Sequence, residues 1–187
     1  MQRREAIQVL AEHKCDAISV ATMQAMGPWH EVGKGDDSHL DAIGCMGTAM
    51  SLGLGLALAC DHRKVMVLDG DGSLLMQLGS LVSTAGAGPA NFYHFVFNDG
   101  IYSTSGCQSL PGNYLFDFSR LALAAGYKQA YSFKDKSDLQ NKLPHIMKEE
   151  GPILINLELE PTNQKEAWPK VIMSEQIIKL KEELALY

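Results

Sequence analysis

The run Val65-Met66-Val67-Leu68, followed at once by Asp69-Gly70-Asp71-Gly72-Ser73, constrains this chain more than any other segment. Four apolar residues, two of them β-branched, predict a strand buried on both faces, as in a parallel sheet. The glycines after it allow a tight turn, and carboxylates at a strand tip suit a hard divalent cation. A helix starting near Ser73 would offer free N–H groups to a phosphate. Two other readings compete. DxDG also opens a calcium loop, but with Asp69 first the turn glycine would fall at Leu74 and the bidentate glutamate at Ser80, so that loop is excluded. A plain strand-to-helix turn stays open on this segment alone.

The rest of the chain alternates between helical and strand patterns. Arg3–His13 carries apolar residues at Ala6, Ile7, Leu10 and Ala11, a helical spacing, and Ala17–Ala21 and Leu40–Ile43 are strand-like. Gly33–Ser38 is a polar turn. A small-residue helix is expected over Met46–Cys60 and another over Leu74–Ala85, closed by Gly86–Pro89. Phe92–Phe97 is the next strand, and Leu121–Ala125, Tyr127–Phe133, Asp138–Lys148 and Ile153–Leu157 continue the alternation. Ser174–Leu186 reads as a terminal amphipathic helix with Ser174 as N-cap and Ile177, Ile178 and Leu184 on one side. This order implies an α/β fold, a doubly wound and mostly parallel sheet with helices on both faces. In such folds ligands bind beyond the C-terminal ends of the strands.

At 187 residues and 46% hydrophobic content, one domain spanning residues 1–187 is expected. The net charge of -6, without a basic stripe, argues against nucleic acid as a partner. Met46–Cys60 falls short of the roughly 20 apolar residues of a membrane span, and Met1–Cys15 lacks the apolar core of a signal peptide, so a soluble, cytoplasmic protein is expected. Cys15, Cys45, Cys60 and Cys107 have no CxxC spacing and read as ordinary thiols rather than a zinc or iron–sulfur site. His30 and His39 lie near the expected ligand end, but neither is assigned a role.

Asn98-Asp99-Gly100 follows the next apolar strand, with 25 residues, 73–97, between Gly72 and Asn98. One strand–helix–strand unit fits that interval and would bring Asp71 and Asn98 to neighbouring strand tips. Two oxygen donors so placed suit magnesium, which takes its remaining ligands readily from phosphates, so a metal-bridged diphosphate is the sharper reading.

On these residues the chain resembles thiamine diphosphate enzymes, whose signature is similar to Gly70-Asp71-Gly72, 25 residues, Asn98. The resemblance implies a thiamine diphosphate-binding fold, with Mg2+ held by Asp71, the Asn98 side chain and the Gly100 carbonyl. Gly70, Gly72, Ser73, Asn98, Gly100 and Ile101 would meet the cofactor. Gly44-Cys45-Met46-Gly47 is similar to the Gly-Ser-Met-Gly stretch of the same enzymes. It implies an aminopyrimidine contact at the Gly44 carbonyl, Cys45 in place of a serine, and Met46 as the wedge that bends the cofactor, although a methionine also fills cores. The similarity runs from about Ile43 to Leu157, in particular to sulfopyruvate decarboxylase beta subunits and the C-terminal part of phosphonopyruvate decarboxylases. Ser103-Thr104-Ser105-Gly106-Cys107-Gln108 resembles their Ser/Thr-Gly-x-Gln stretch, which implies substrate contacts at Ser103, Thr104, Ser105 and Gln108; a loop of satisfied hydroxyls is the plain alternative. Two features depart from the pattern. The usual paired asparagines are not evident, since Phe97 precedes Asn98 and Asp99 follows it, and Ala21–Met26 lacks the expected Thr-Thr-Gly and Arg-Glu residues.

The family's activating glutamate lies on a pyrimidine-binding domain that this chain has no room for. The resemblance therefore implies a pyrimidine-domain partner subunit in a hetero-oligomer, α2β2 or larger, acting on a small 2-oxo acid. Decarboxylation of a sulfopyruvate- or phosphonopyruvate-like substrate is the leading expectation. An acetolactate synthase-like carboligase, a 2-oxoacid oxidoreductase subunit and a non-catalytic cofactor-binding subunit are the alternatives. Asn98–Asn113 contains no Lys or Arg, so a second anionic group on the substrate would meet hydroxyls, backbone N–H groups or the partner.

Overall fold

The computed structural model describes residues 1–33, 37–113, 115–162 and 164–185. Six parallel strands form one sheet: β1 (Ile18–Thr22), β2 (His39–Ala42), β3 (Val65–Gly70), β4 (Phe92–Asn98), β7 (Gln129–Phe133) and β8 (Ile153–Glu158), in the order β2-β1-β3-β4-β8-β7. The short antiparallel pair β5 (Ile101–Tyr102) and β6 (Gln108–Ser109) makes a hairpin after β4. The helices are α1 (Arg3–Glu12), α2 (Met23–Val32), α3 (Ala49–Ala59), α4 (Asp71–Met76), α5 (Ser80–Ala87), α6 (Phe118–Ala125), α7 (Lys136–Ile146) and α8 (Met173–Leu184). None of them is long and apolar enough to cross a membrane.

The winding follows from the alternation of side chains along each strand. Met66 and Leu68 of β3 join Phe95, Phe97, Ile153 and Ile155 in a core with α1, α2 and α7. Val65 and Val67 face the other way and pack with Ala49, Met50, Leu81, Phe118 and Leu180, from α3, α5, α6 and α8. Both faces of the central strands are thus dry, as their apolar runs require. The chain leaves β1 toward β2 on one side and leaves β3 toward β4 on the other. That reversal opens a crevice at the C-terminal tips of β1 and β3, the position where doubly wound sheets receive ligands.

Four local expectations are corrected. The helix expected over Leu74–Ala85 is two helices, broken at Gln77–Gly79, where Ser80 Oγ donates to the Gln77 carbonyl. The helix expected from Met46 begins at Ala49, because residues 43–48 form turns with positive φ at Gly44 and Gly47. Helix α2 was not expected. On α8 the N-cap is Ile172 rather than Ser174, and Leu180 is buried while Ile177 and Ile178 are exposed. The turn expected over Gly33–Ser38 and the end of the last helix at Leu186 fall partly outside the described residues.

Candidate functional site

Three strand tips build one pocket. It is lined by Thr22 and Met23 after β1, by Asp69–Ser73 after β3, and by Phe97, Asp99, Ile101, Tyr102, Ser103 and Thr104 after β4, with Met46 and Arg3 at its sides. Because β3 and β4 pair in register up to Gly70 opposite Phe97, the two motifs that follow them emerge side by side. Gly72 sits so close to the Tyr102 ring that a Cβ at that position would approach it to 2.6 Å, so only glycine fits beneath the β5–β6 hairpin. A third motif is tied in by one bond, from Gly47 N–H to Ser73 Oγ at 2.9 Å.

Asp71, the first residue of α4, is 3% exposed. Its Oδ1 accepts from Gly72 N–H and its Oδ2 from Gly100 N–H, both at 2.7 Å. Burial, and then the negative charge of Asp99, push its pKa up to about 7, with backbone N–H groups of Gly100, Gly72 and Asp99 opposing. Each pKa unit corresponds to about 1.4 kcal/mol, so ionising Asp71 without a cation costs a few kcal/mol. Asp99 is also buried; it accepts from Arg3 Nη2 at 2.5 Å, Ser103 Oγ at 2.9 Å and Ile101 N–H at 3.3 Å.

The other two candidate metal ligands are engaged elsewhere. Asn98 donates through Nδ2 to Asn156 Oδ1 at 3.2 Å and lines a shallower depression with Gly100, Asn113 and Asn156. The Gly100 carbonyl accepts from Leu110 N–H at 3.0 Å and Asn113 Nδ2 at 3.3 Å, so Gly100 meets Asp71 through its N–H, not its oxygen. As a donor set, Asp71, Asn98 and Gly100 offer only oxygen, which fits magnesium. Of the three, Asp71 alone lines the pocket, and its buried carboxylate has no ion-pair partner among the described residues.

The remaining expected residues divide. Gly70, Gly72, Ser73, Met46 and Ile101 line the pocket, as do Ser103 and Thr104. Ser105 and Gln108 do not; they bond to each other at 3.1 Å on the exposed end of the hairpin. Gly44 and Cys45 are exposed on the loop ahead of Met46. The Gly70 N–H and Gly72 N–H, which a phosphate could have used, are taken by Asp69 Oδ1 and Asp71 Oδ1. Arg3, Thr22, Met23 and Tyr102 were not anticipated in the pocket. Met23 adopts φ 36°, a conformation costly for a residue with a side chain, and strain of this kind gathers at ligand sites.

A family model described as "Thiamine pyrophosphate enzyme, C-terminal TPP binding domain" matches residues 21–157. The phosphonopyruvate decarboxylase of Streptomyces viridochromogenes is 34% identical over 154 residues, which cover 82% of this chain and 38% of that protein. The sulfopyruvate decarboxylase subunit beta of Methanothermobacter thermautotrophicus is 35% identical over 125 residues, 67% of this chain and 64% of that one. Its counterpart from Methanococcus maripaludis is 29% identical over 166 residues, 88% of this chain and 87% of that one. The chain therefore spans well under half of the phosphonopyruvate decarboxylase it matches. Among solved structures, a protein described as a thiamin diphosphate-dependent enzyme from Mycobacterium smegmatis superposes with a TM-score of 0.68 at 20% identity, covering 87% of this chain and 32% of that chain. At that identity the likeness speaks to the fold.

Proposed function

We propose a cofactor-dependent reading from one premise: the chain belongs to the thiamine pyrophosphate enzyme family, as a C-terminal TPP-binding domain. On this reading it is the diphosphate- and Mg2+-binding domain of a decarboxylase of small 2-oxo acids bearing a second acidic group, sulfopyruvate or phosphonopyruvate in type. The relatives that carry those names supply the substrate class. The observation that carries the cofactor assignment is Asp71: a carboxylate buried at a strand tip, stressed by Asp99, in the crevice where this fold receives ligands. Bound thiamine diphosphate supplies an electron sink for cleaving the bond between a carboxylate and a 2-oxo carbon.

The chain's own residues hold and orient. Asp71, with Asn98 and the Gly100 carbonyl, which now meet Asn156, Leu110 and Asn113, would hold Mg2+ and through it the diphosphate. Ser73 Oγ, which accepts from Gly47 N–H, keeps its own proton for a phosphate oxygen. Met46 would support the cofactor, and the Tyr102 ring, packed over Gly72, would narrow the crevice to water. An activating carboxylate comes from a pyrimidine-domain partner subunit, a reading supported by relatives called "subunit beta".

Calorimetric titration of the full chain with thiamine diphosphate tests this reading. Binding is expected to require Mg2+ and to fall about 100-fold or more in Asp71→Ala, whose far-UV spectrum stays native. Equal affinity in Asp71→Ala, or binding indifferent to Mg2+, overturns the ligand assignment. The chain alone is expected to release no carbon dioxide from sulfopyruvate, and turnover by the purified single chain would remove the need for a partner.

A further inference from the structure

Arg3 is the one Lys or Arg among the described residues lining the pocket, and it reaches there from the start of the chain. It is 7% exposed. One guanidinium nitrogen, Nη2, is paired with Asp99, while Nε and Nη1 have no hydrogen-bond partner among the described residues. A guanidinium carries five N–H donors in a planar fork, and leaving part of that fork buried and unpaired is costly. The position is held from several sides. The Met1 amino group donates to the Lys134 carbonyl at 2.8 Å and the Glu158 carbonyl at 3.3 Å, Glu160 N–H donates to the Met1 carbonyl, and Gln2 bonds the Glu160 side chain. These contacts anchor the start of α1 beside the C-terminal tips of β7 and β8, so the guanidinium is fixed over the crevice rather than free to swing out. Around it lie the hydroxyl-bearing residues Thr22, Ser103 and Thr104.

We propose that Arg3 forms an oxyanion subsite in this pocket, the N–H groups that its pair with Asp99 leaves unpartnered, on Nε and Nη1, donating to oxygens of a phosphate, sulfonate or carboxylate group. Charge-assisted hydrogen bonds from such donors in a dry site are strong. Asp99 orients the guanidinium through Nη2 and leaves the buried Nε and Nη1 donors without a partner among the described residues. The pair sets a cation from position 3 against the buried carboxylate at position 99. The existence of the subsite stands on geometry alone, whereas the identity of its anion rests on the reading above. Two sources share the chemistry, the cofactor's diphosphate and the acidic group of the substrate.

Calorimetry on the full chain separates them, with Mg2+-pyrophosphate as one probe and sulfoacetate, an unreactive carboxylate–sulfonate, as the other. Arg3→Met is expected to weaken at least one probe by about tenfold or more, and Arg3→Lys, which keeps the charge but loses the fork, by less. Because Arg3→Met strands a buried Asp99, the pair-neutral Arg3→Met/Asp99→Asn variant is measured beside it and is expected to bind as weakly. Loss on the pyrophosphate arm assigns the subsite to the cofactor, and loss on the sulfoacetate arm assigns it to the substrate. The inference is overturned if wild type binds neither probe, or if the double variant binds both as wild type does. Magnesium-dependent thiamine diphosphate binding in wild type that ignores Arg3 on both arms would sink this inference and spare the cofactor reading. Arg3-dependent anion binding without any thiamine diphosphate binding would do the reverse.

Discussion

Two aspartates stand near the C-terminal edge of the same sheet, equally deprived of water and in opposite electrostatic condition. Asp41 on β2 is fully buried, yet its Oδ1 accepts from His39 at 3.0 Å and its Oδ2 from His30 at 2.7 Å and Gln176 Nε2 at 2.9 Å. Burial alone would raise its pKa; the hydrogen bonds and charge of the two histidines overcome that and hold it well below the usual carboxylate range. His39 is held in turn by Ser19 Oγ, which also accepts from Trp29 Nε1. Asp71, two strands away, is held among the described residues by backbone N–H donors and stands near another carboxylate, and its pKa moves up to about 7. The first arrangement is a finished network that fastens α2 and α8 to β2. The second has no positive partner among the described residues, and on the proposed reading a cation would supply one. Depth of burial does not distinguish a structural carboxylate from a binding one; the supply of positive partners does.

The comparison breaks most readily at Asp41. Asp41→Ala leaves two histidines and Gln176 without their acceptor and is expected to cost about 3 kcal/mol of unfolding free energy, measured by urea denaturation, while cofactor affinity holds. A cost below about 1 kcal/mol would mean that the network is idle. Acid sharpens the contrast. A folded pKa below the unfolded one means that the folded chain gives up its proton more readily, so Asp41 contributes stability above pH ~4 that is lost as pH falls below it. Asp71 has its folded pKa above the unfolded one. Its penalty is absent below pH ~4 and grows as pH rises through about 7. Denaturation midpoints of Asp41→Ala are therefore expected to flatten on the acid side, and those of Asp71→Asn to rise relative to wild type toward neutral pH. A smaller effect is expected at Ser73. Ser73→Ala removes the acceptor for Gly47 N–H and should cost about 1 kcal/mol, with looser cofactor binding because the Met46 loop loses its tie to α4. Unchanged cofactor affinity would detach that loop from the site.

What the sequence disclosed followed from patterns that act locally. Val65–Leu68 and Phe92–Phe97 announced central strands because burial on both faces demands continuous apolar runs, and the Asp71 and Asn98 motifs came with them. Helix α2 was illegible because Gly27-Pro28 reads as a break. In the fold Gly27 is needed where the backbone of Ala167 crosses, since a Cβ there would lie 2.2 Å from the Ala167 carbonyl oxygen. Met23, at the start of the same helix, keeps a positive φ that no local pattern announces. Arg3 could not be foreseen, because its partner Asp99 lies 96 residues away and no local pattern joins them. The side chains of Ser105 and Gln108 satisfy each other across the hairpin, a pairing that motif similarity does not reveal.

The central claim is that Asp71 is held in a state only a cation relieves, and the thermal stability of wild type and Asp71→Asn at pH 8 tests it directly. Without ligands the variant is expected to be at least as stable as wild type, since amide replaces a stressed carboxylate; with saturating Mg2+ and thiamine diphosphate only wild type should gain. A variant that is less stable without ligands, or that gains as much as wild type with them, would contradict the account.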